Sequence, residues 1–204
     1  MSPAGPDRPR LLIGSSNPGK VREYRDILSG LDLDLVAPGD LVRAPAEPDE
    51  SADSYAENAA FKARAYARAT GLATLADDSG LEVVALRGAP GVRSRRFFGE
   101  DASAAERNQR LLAMLHGVAD RSARFVCVTA LASPGGEVEL FEGEVRGEIA
   151  EGPRGEGGFG YDPIFVIAGD GRTMAELSTE EKQRVSHRGR AGAKLRARLA
   201  SGGG

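Results

Sequence analysis

The chain has 204 residues, of which 41% are hydrophobic and 28% charged. That is enough to bury a normal core, so disordered and fibrous classes are excluded and one sizeable domain, or two lobes sharing one core, is expected. Thirty acids against 27 bases give a formal charge of −3, the wrong sign for a protein that coats a nucleic acid polymer. One cysteine, Cys127, and two histidines exclude a disulfide framework and are too few for a structural zinc site. Carboxylates remain available to a hard metal.

No run approaches the roughly 20 apolar residues of a membrane helix. The first ten residues, MSPAGPDRPR, carry no apolar segment, so no secretory leader and no membrane contact are expected, and the location implied is cytoplasmic. Residues 1–10 read as a Pro-rich tail and 201–204 as a flexible end. Between them, residues 11–200 show no repeat, no linker and no internal boundary.

In chain order, residues 11–14 are an apolar run suited to a strand. It stops at Ser15-Ser16-Asn17, and Pro18 fits the first turn of a helix, where its missing N–H is no loss. Val21, Tyr24, Ile27, Leu28 and Leu31 follow at helical spacing, with Gly30 as the stop. A second helix is predicted from Ser54, with Glu57 completing a capping box, to about Gly71. Residues 72–76 read as a strand ending at Asp77-Asp78-Ser79-Gly80. Ser103 and Glu106 cap a third helix that carries Leu111, Leu112 and Leu115. Residues 125–132 and 138–145, joined by Pro134-Gly135-Gly136, read as an antiparallel hairpin. A Gly-rich stretch, 152–160, leads to a strand at 164–167. Helical pattern resumes at Thr173 and breaks near Ser186-His187-Arg188-Gly189. The mixture implies an α/β fold with a mixed sheet.

Four segments could carry chemistry. Gly14-Ser15-Ser16-Asn17-Pro18-Gly19-Lys20 has a strand–loop–helix context in which unpaired N–H groups and a lysine could meet an anion. Its spacing matches a phosphate-binding P-loop, but Val21 stands where that motif needs Ser or Thr for magnesium, so the NTPase reading is rejected. Two readings stay open, a phosphate site and an ordinary helix N-cap with an exposed lysine. Asp77-Asp78 could hold Mg²⁺, which favours one or two carboxylates plus substrate phosphates, or could form a local Asp-Asp-Ser-Gly turn. The acidic loop with Glu47, Asp49, Glu50 and Asp53 offers further carboxylates without singling one out. Gly155–Pro163 sets Phe159, Tyr161 and Asp162 among four glycines, which favours a loop that stacks on a base over a merely flexible one. Lys182, His187 and Arg188 add donors near a helix break, and on their own could equally be solvated.

Taken together and in this order, Ser15-Ser16-Asn17-Pro18-Gly19-Lys20, Glu57-Asn58-Ala59, Ala76-Asp77-Asp78-Ser79-Gly80, Gly158-Phe159-Gly160-Tyr161-Asp162-Pro163 and Ser186-His187-Arg188-Gly189 resemble the non-canonical purine nucleoside triphosphate pyrophosphatases, the ITP/XTP/dITP diphosphatases. The resemblance spans residues 11–200. It implies an elongated mixed sheet flanked by helices, two lobes with an active-site cleft between them, dependence on Mg²⁺, and a homodimer. It places Ser15, Asn17, Lys20 and Lys62 at the phosphates, with Ser16, Pro18 and Gly19 of the same loop also binding substrate. It makes Asp78 the metal ligand and general base, with Ser79 beside it and Glu50 as a second metal-associated carboxylate. Phe159, Gly160, Tyr161 and Asp162 would line the base pocket, completed by Lys182, His187 and Arg188. Arg93 and Arg95 depart from the family pattern, in a segment that would form a cleft wall or dimer contact. The rival readings are a related pyrophosphatase for pyrimidine or modified nucleotides, and a nucleotide sensor without catalysis.

Overall fold

Leu11, Leu12 and Ile13 are all buried, as a strand covered on both faces requires. They belong to β1 (Arg10–Ile13) of a computed structural model that describes residues 8–201. The described residues form six strands and five α-helices. After β1 come α1 (Pro18–Ile27), β2 (Asp34–Val36), α2 (Tyr55–Thr70), β3 (Ala73–Val83) and α3 (Ala104–Met114). Then follow β4 (Ser122–Ala132), β5 (Val138–Ile149), β6 (Phe165–Ile167), α4 (Thr179–Val185) and α5 (His187–Ser201).

The strand order is β2-β1-β3-β4-β5-β6. β1 runs parallel to β2 and β3, whereas β5 and β6 are antiparallel, so the sheet is mixed, as the sequence implies. Local signals set most of the helix ends. Ser54 Oγ accepts from Glu57 N and donates to its carboxylate, and Gly71 closes α2 at φ +69°, the left-handed conformation that terminates helices. Ser103 and Glu106 form the expected capping box on α3. The break at Ser186 separates α4 from α5.

Several bounds differ from expectation. β2 carried no signal, being three residues long. β3 does not end at Ala76 but continues through Asp77-Asp78-Ser79-Gly80 to Val83, held by burial of Leu81 and Val83 and by the bond from Leu81 N to Ser94 Oγ (2.8 Å). The hairpin strands are longer than the apolar runs, and Ile164 lies in a 3₁₀ turn before β6. Of the two expected tails, residues 1–7 and 202–204 lie outside the described residues, while Arg10 already pairs in β1 and Ser201 ends α5.

The chain divides into two compact units. The first takes residues up to Asp77, Thr129–Phe141, and residues from Gly192 on. Its core gathers Leu11, Ile13, Val21, Tyr24, Leu28, Leu75 and Leu195, and Tyr24 Oη shares a buried hydrogen bond with Thr129 Oγ1 (2.6 Å). The second takes Asp78–Val128 and Glu142–Ala191, around Leu81, Leu111, Leu115, Phe125, Ile149, Ile164 and Phe165. Among the described residues no helix is long and apolar enough to cross a membrane.

Candidate active site

In the first unit, Asn17 caps α1: its Oδ1 accepts from Gly19 N (2.8 Å) and Lys20 N (3.3 Å), and Ser15 Oγ accepts from Asn17 N. The helix-cap reading therefore describes the backbone, but its exposed lysine does not. Lys20 turns inward, with Nζ 3.2 Å from Asp77 Oδ1 and 3.4 Å from the Asp77 carbonyl. Ser16 and Pro18 are exposed, while Ser15 and Gly19 are buried. Ser16 Oγ donates to Glu47 Oε2 (2.6 Å).

The acidic loop is held from α2. Lys62, buried, is ion-paired with Glu50. One turn earlier, Asn58 Oδ1 accepts from Ala52 N (3.0 Å) and its Nδ2 donates to Ala52 O (3.1 Å), as a neighbouring strand would. Tyr66, one turn later, is also buried. Burial first, then the charges of Glu47 and Glu50, push its hydroxyl up to about 12.

Asp77 and Asp78 are both buried, at 0% and 4% exposure. Successive side chains on β3 point to opposite faces, and both faces are covered here, so neither the strand end nor the Asp-Asp-Ser-Gly turn is formed. In the second unit a continuous chain of contacts starts at Asp78. Its Oδ1 accepts from Ser79 N (2.8 Å), and Ser79 Oγ accepts from Arg188 Nη2 (2.8 Å). Arg188 lies 5.5 Å from the centre of the Phe159 ring and Lys182 Nζ lies 4.9 Å from it. Lys182 Nζ also donates to Asp162 Oδ2 (2.7 Å), which accepts from Phe159 N as well (2.7 Å). Gly158 makes this turn possible: its φ is +71°, and a Cβ there would overlap Asp162 Oδ2.

Lys182, Asp162 and Arg188 are buried, and Phe159 and Gly160 are half-buried. Buried charges cost several kcal/mol each unless paired, and the ring faces add about 0.5–2 kcal/mol per cation. Two further candidates make contacts within the fold. Tyr161 is buried, donates from Oη to Ser94 O (2.9 Å), and is pushed up to about 12 by that burial. His187 stacks on Phe125 with ring centres 4.6 Å apart and planes at 12°.

Among the described residues, no three of His, Cys, Asp and Glu gather as a metal cage. A cation that takes one or two carboxylates and otherwise keeps water and substrate oxygens needs no such cage. Asp78, buried in the second unit, and Glu50, ion-paired with Lys62 in the first, each carry the carboxylate oxygens such an ion takes, so the donor chemistry of each suits Mg²⁺.

The model of the Ham1 family matches residues 11–198. The chain belongs to the Ham1 family. It is 50% identical to the dITP/XTP pyrophosphatase of Deinococcus deserti over 92% of this chain and 88% of that one. It is 49% identical to a Thermus thermophilus protein of the same name, over 89% and 87%. Among solved structures, a HAM1 protein from Coxiella burnetii superposes with a TM-score of 0.86 at 40% identity, covering 95% of this chain and 99% of that one.

The sequence reading gave no role to Asn58, although its motif carries the resemblance, and passed over Tyr66 and Ser94. A signal existed for two of them. Asn58, Lys62 and Tyr66 are spaced four apart, on one face of α2, and all three are buried. A polar stripe at helical spacing inside a capped helix marks a face that meets something other than water.

Proposed function

We propose that this protein hydrolyses 6-oxo purine nucleoside triphosphates, namely dITP, XTP and ITP, to the monophosphate and pyrophosphate. The observation that supports this is the gathering of buried Arg188, Lys182 and Asp162 at the ring of Phe159, in a contact chain that ends at the buried carboxylate of Asp78. Relatives about half identical bear the name of that reaction.

In this reading residues 11–200 act as one catalytic domain. The phosphates are met by Ser15, Ser16, Asn17, Lys20 and Lys62, with Pro18 and Gly19 shaping the turn. Lys20 and Lys62 already sit against Asp77 and Glu50, so their charge is held in place before substrate arrives. Asp78 orients a water and takes its proton as the water oxygen bonds the α-phosphorus. The bond from that phosphorus to the α–β bridging oxygen breaks, and pyrophosphate leaves with its charge countered by the lysines. Asp78 and Glu50 are the residues assigned to hold Mg²⁺, which when bound supplies further positive charge to the phosphate oxygens.

The base stacks on Phe159, and donors from Arg188 and Lys182 meet its O6. Adenine would set its amino donor against these donors and leave buried groups unpaired. Ion chromatography of products from ITP, XTP, dITP, UTP and ATP, with and without Mg²⁺, tests the reading. Monophosphate and pyrophosphate from the 6-oxo purines are expected. Diphosphate with orthophosphate, preference for UTP, or binding without release would each overturn it. We also propose a cytoplasmic homodimer, to be checked by sedimentation velocity; a monomer at every concentration would refute the dimer.

A further inference from the structure

Helix α3 has no part in the chemistry described so far, yet Asn108 on it is buried, with 7% exposure, in the second unit. Its Nδ2 donates to the carbonyl of Gly160 at 3.1 Å, 52 residues away in sequence. Its Oδ1 is buried and has no hydrogen-bond partner among the described residues. The donor contact fixes which way the amide points, because a flip would set oxygen against oxygen. A buried amide satisfied on one side only is costly, and so is asparagine inside a helix. Leu111, on the same helix, shows what that environment accepts at no such cost. The stability of α3 therefore does not account for Asn108, whereas its bond to Gly160 does.

That bond completes a set. Phe159 N is held by Asp162 Oδ2, Gly160 O by Asn108, and Tyr161 Oη donates to Ser94 O. Three consecutive residues are thus each held, one within the loop and two by distant segments, and the residue left half-buried is Phe159, with Lys182 and Arg188 against its ring. We infer that Asn108 is a positioning residue for base recognition. By turning the Gly160 carbonyl toward α3 it fixes the backbone of the aromatic loop, and so the ring on which the base stacks. This rests on the reading that the loop receives the purine.

Two variants test it. Asn108→Leu removes the donor and fills the site with an apolar side chain; Asn108→Asp keeps the shape and replaces the donor with an acceptor. Both are expected to raise KM for ITP about fivefold, the effect of one lost hydrogen bond, and to narrow the ITP-to-ATP ratio, while kcat changes less than about twofold. Asn108→Gln, which keeps the donor, is expected to recover part of the loss. The Leu variant should melt no lower than the wild type. Amide exchange at Phe159, Gly160 and Tyr161 should quicken in both the Leu and Asp variants. Unchanged KM and unchanged exchange in them would overturn the inference, as would an equal fall of kcat/KM for ITP and ATP accompanied by a lower melting temperature. If the wild-type protein releases no pyrophosphate from any purine triphosphate, the functional reading has failed, and the exchange measurement still decides whether Asn108 holds the loop.

Discussion

Arg188 reaches across 109 residues of sequence to donate to the hydroxyl of Ser79 at 2.8 Å, directly beside Asp78. The same guanidinium lies against Phe159, so one buried cation connects the proposed water-activating carboxylate with the proposed base platform. Replacement by alanine should therefore narrow the preference for ITP over ATP by about tenfold or more, the worth of a charge-assisted bond. Arg188→Lys should not restore it, because a compact ammonium cannot both bond Ser79 and lie at the ring. Measuring kcat/KM for ITP, GTP and ATP decides the matter, and equal proportional loss on all three would mean that Arg188 meets phosphate instead. His187→Ala, by contrast, removes a ring stacked on Phe125 and should lower the melting temperature more than it alters base preference.

Asp78→Asn keeps the shape and loses the charge. Its Oδ1 can still accept from Ser79 N, so the fold should hold within about 1 kcal/mol, while turnover of ITP falls by roughly two to four orders of magnitude. Circular dichroism and pyrophosphate release, each at saturating Mg²⁺, check the two halves separately. A folded variant with near wild-type turnover would remove Asp78 from the mechanism.

What the sequence made legible was what a few neighbouring residues decide among themselves. Ser54 and Gly71 bound α2 because each acts on its own helix end. Ser103 with Glu106 does the same for α3. The continuation of β3 through Asp77-Asp78-Ser79-Gly80 was not legible, since those four residues also spell a turn. What overrides that signal is distant: Lys20, 57 residues earlier, meets Asp77, and Ser94 accepts from Leu81 N. The candidate site residues followed the same division. Lys20, Asp78 and Phe159 lie in segments of unusual composition and could be singled out. Asn108 reads as an ordinary polar residue of an amphipathic helix, and only its meeting with Gly160 distinguishes it.

Gly158→Ala should damage the site more than an equivalent change at Gly71. Both residues have positive φ, at +71° and +69°, so each substitution carries backbone strain of about 1 kcal/mol. At Gly71 a Cβ meets nothing within 4 Å, whereas at Gly158 it runs into the Asp162 carboxylate that holds Lys182 and Phe159 N. Comparable losses of melting temperature are expected for strain alone, with a further fall for Gly158→Ala. Only that variant should raise KM for ITP. Equal KM values in the two variants would detach the Gly158 turn from substrate binding.

Alkaline pH should act on the aromatic loop through Tyr161. Burial raises its hydroxyl from 10.0 to about 12, with the nearby Arg107 pulling weakly the other way. The group is an acid whose folded value lies above its unfolded one, so the neutral form is favoured in the fold. Its contribution is fully present below pH 10 and is lost as pH rises through 10 toward about 12, amounting to on the order of 2 kcal/mol. The structural cause is direct: neutral Tyr161 donates to Ser94 O, and a phenolate there would face a carbonyl with no proton to offer. Tyr161→Phe should lower stability at neutral pH, because the Ser94 carbonyl loses its donor, yet weaken the decline between pH 10 and 12. Urea midpoints across that range, read beside tyrosinate absorbance, give both quantities. A variant that loses stability with pH as steeply as the wild type would show that Tyr161 is not the group that titrates.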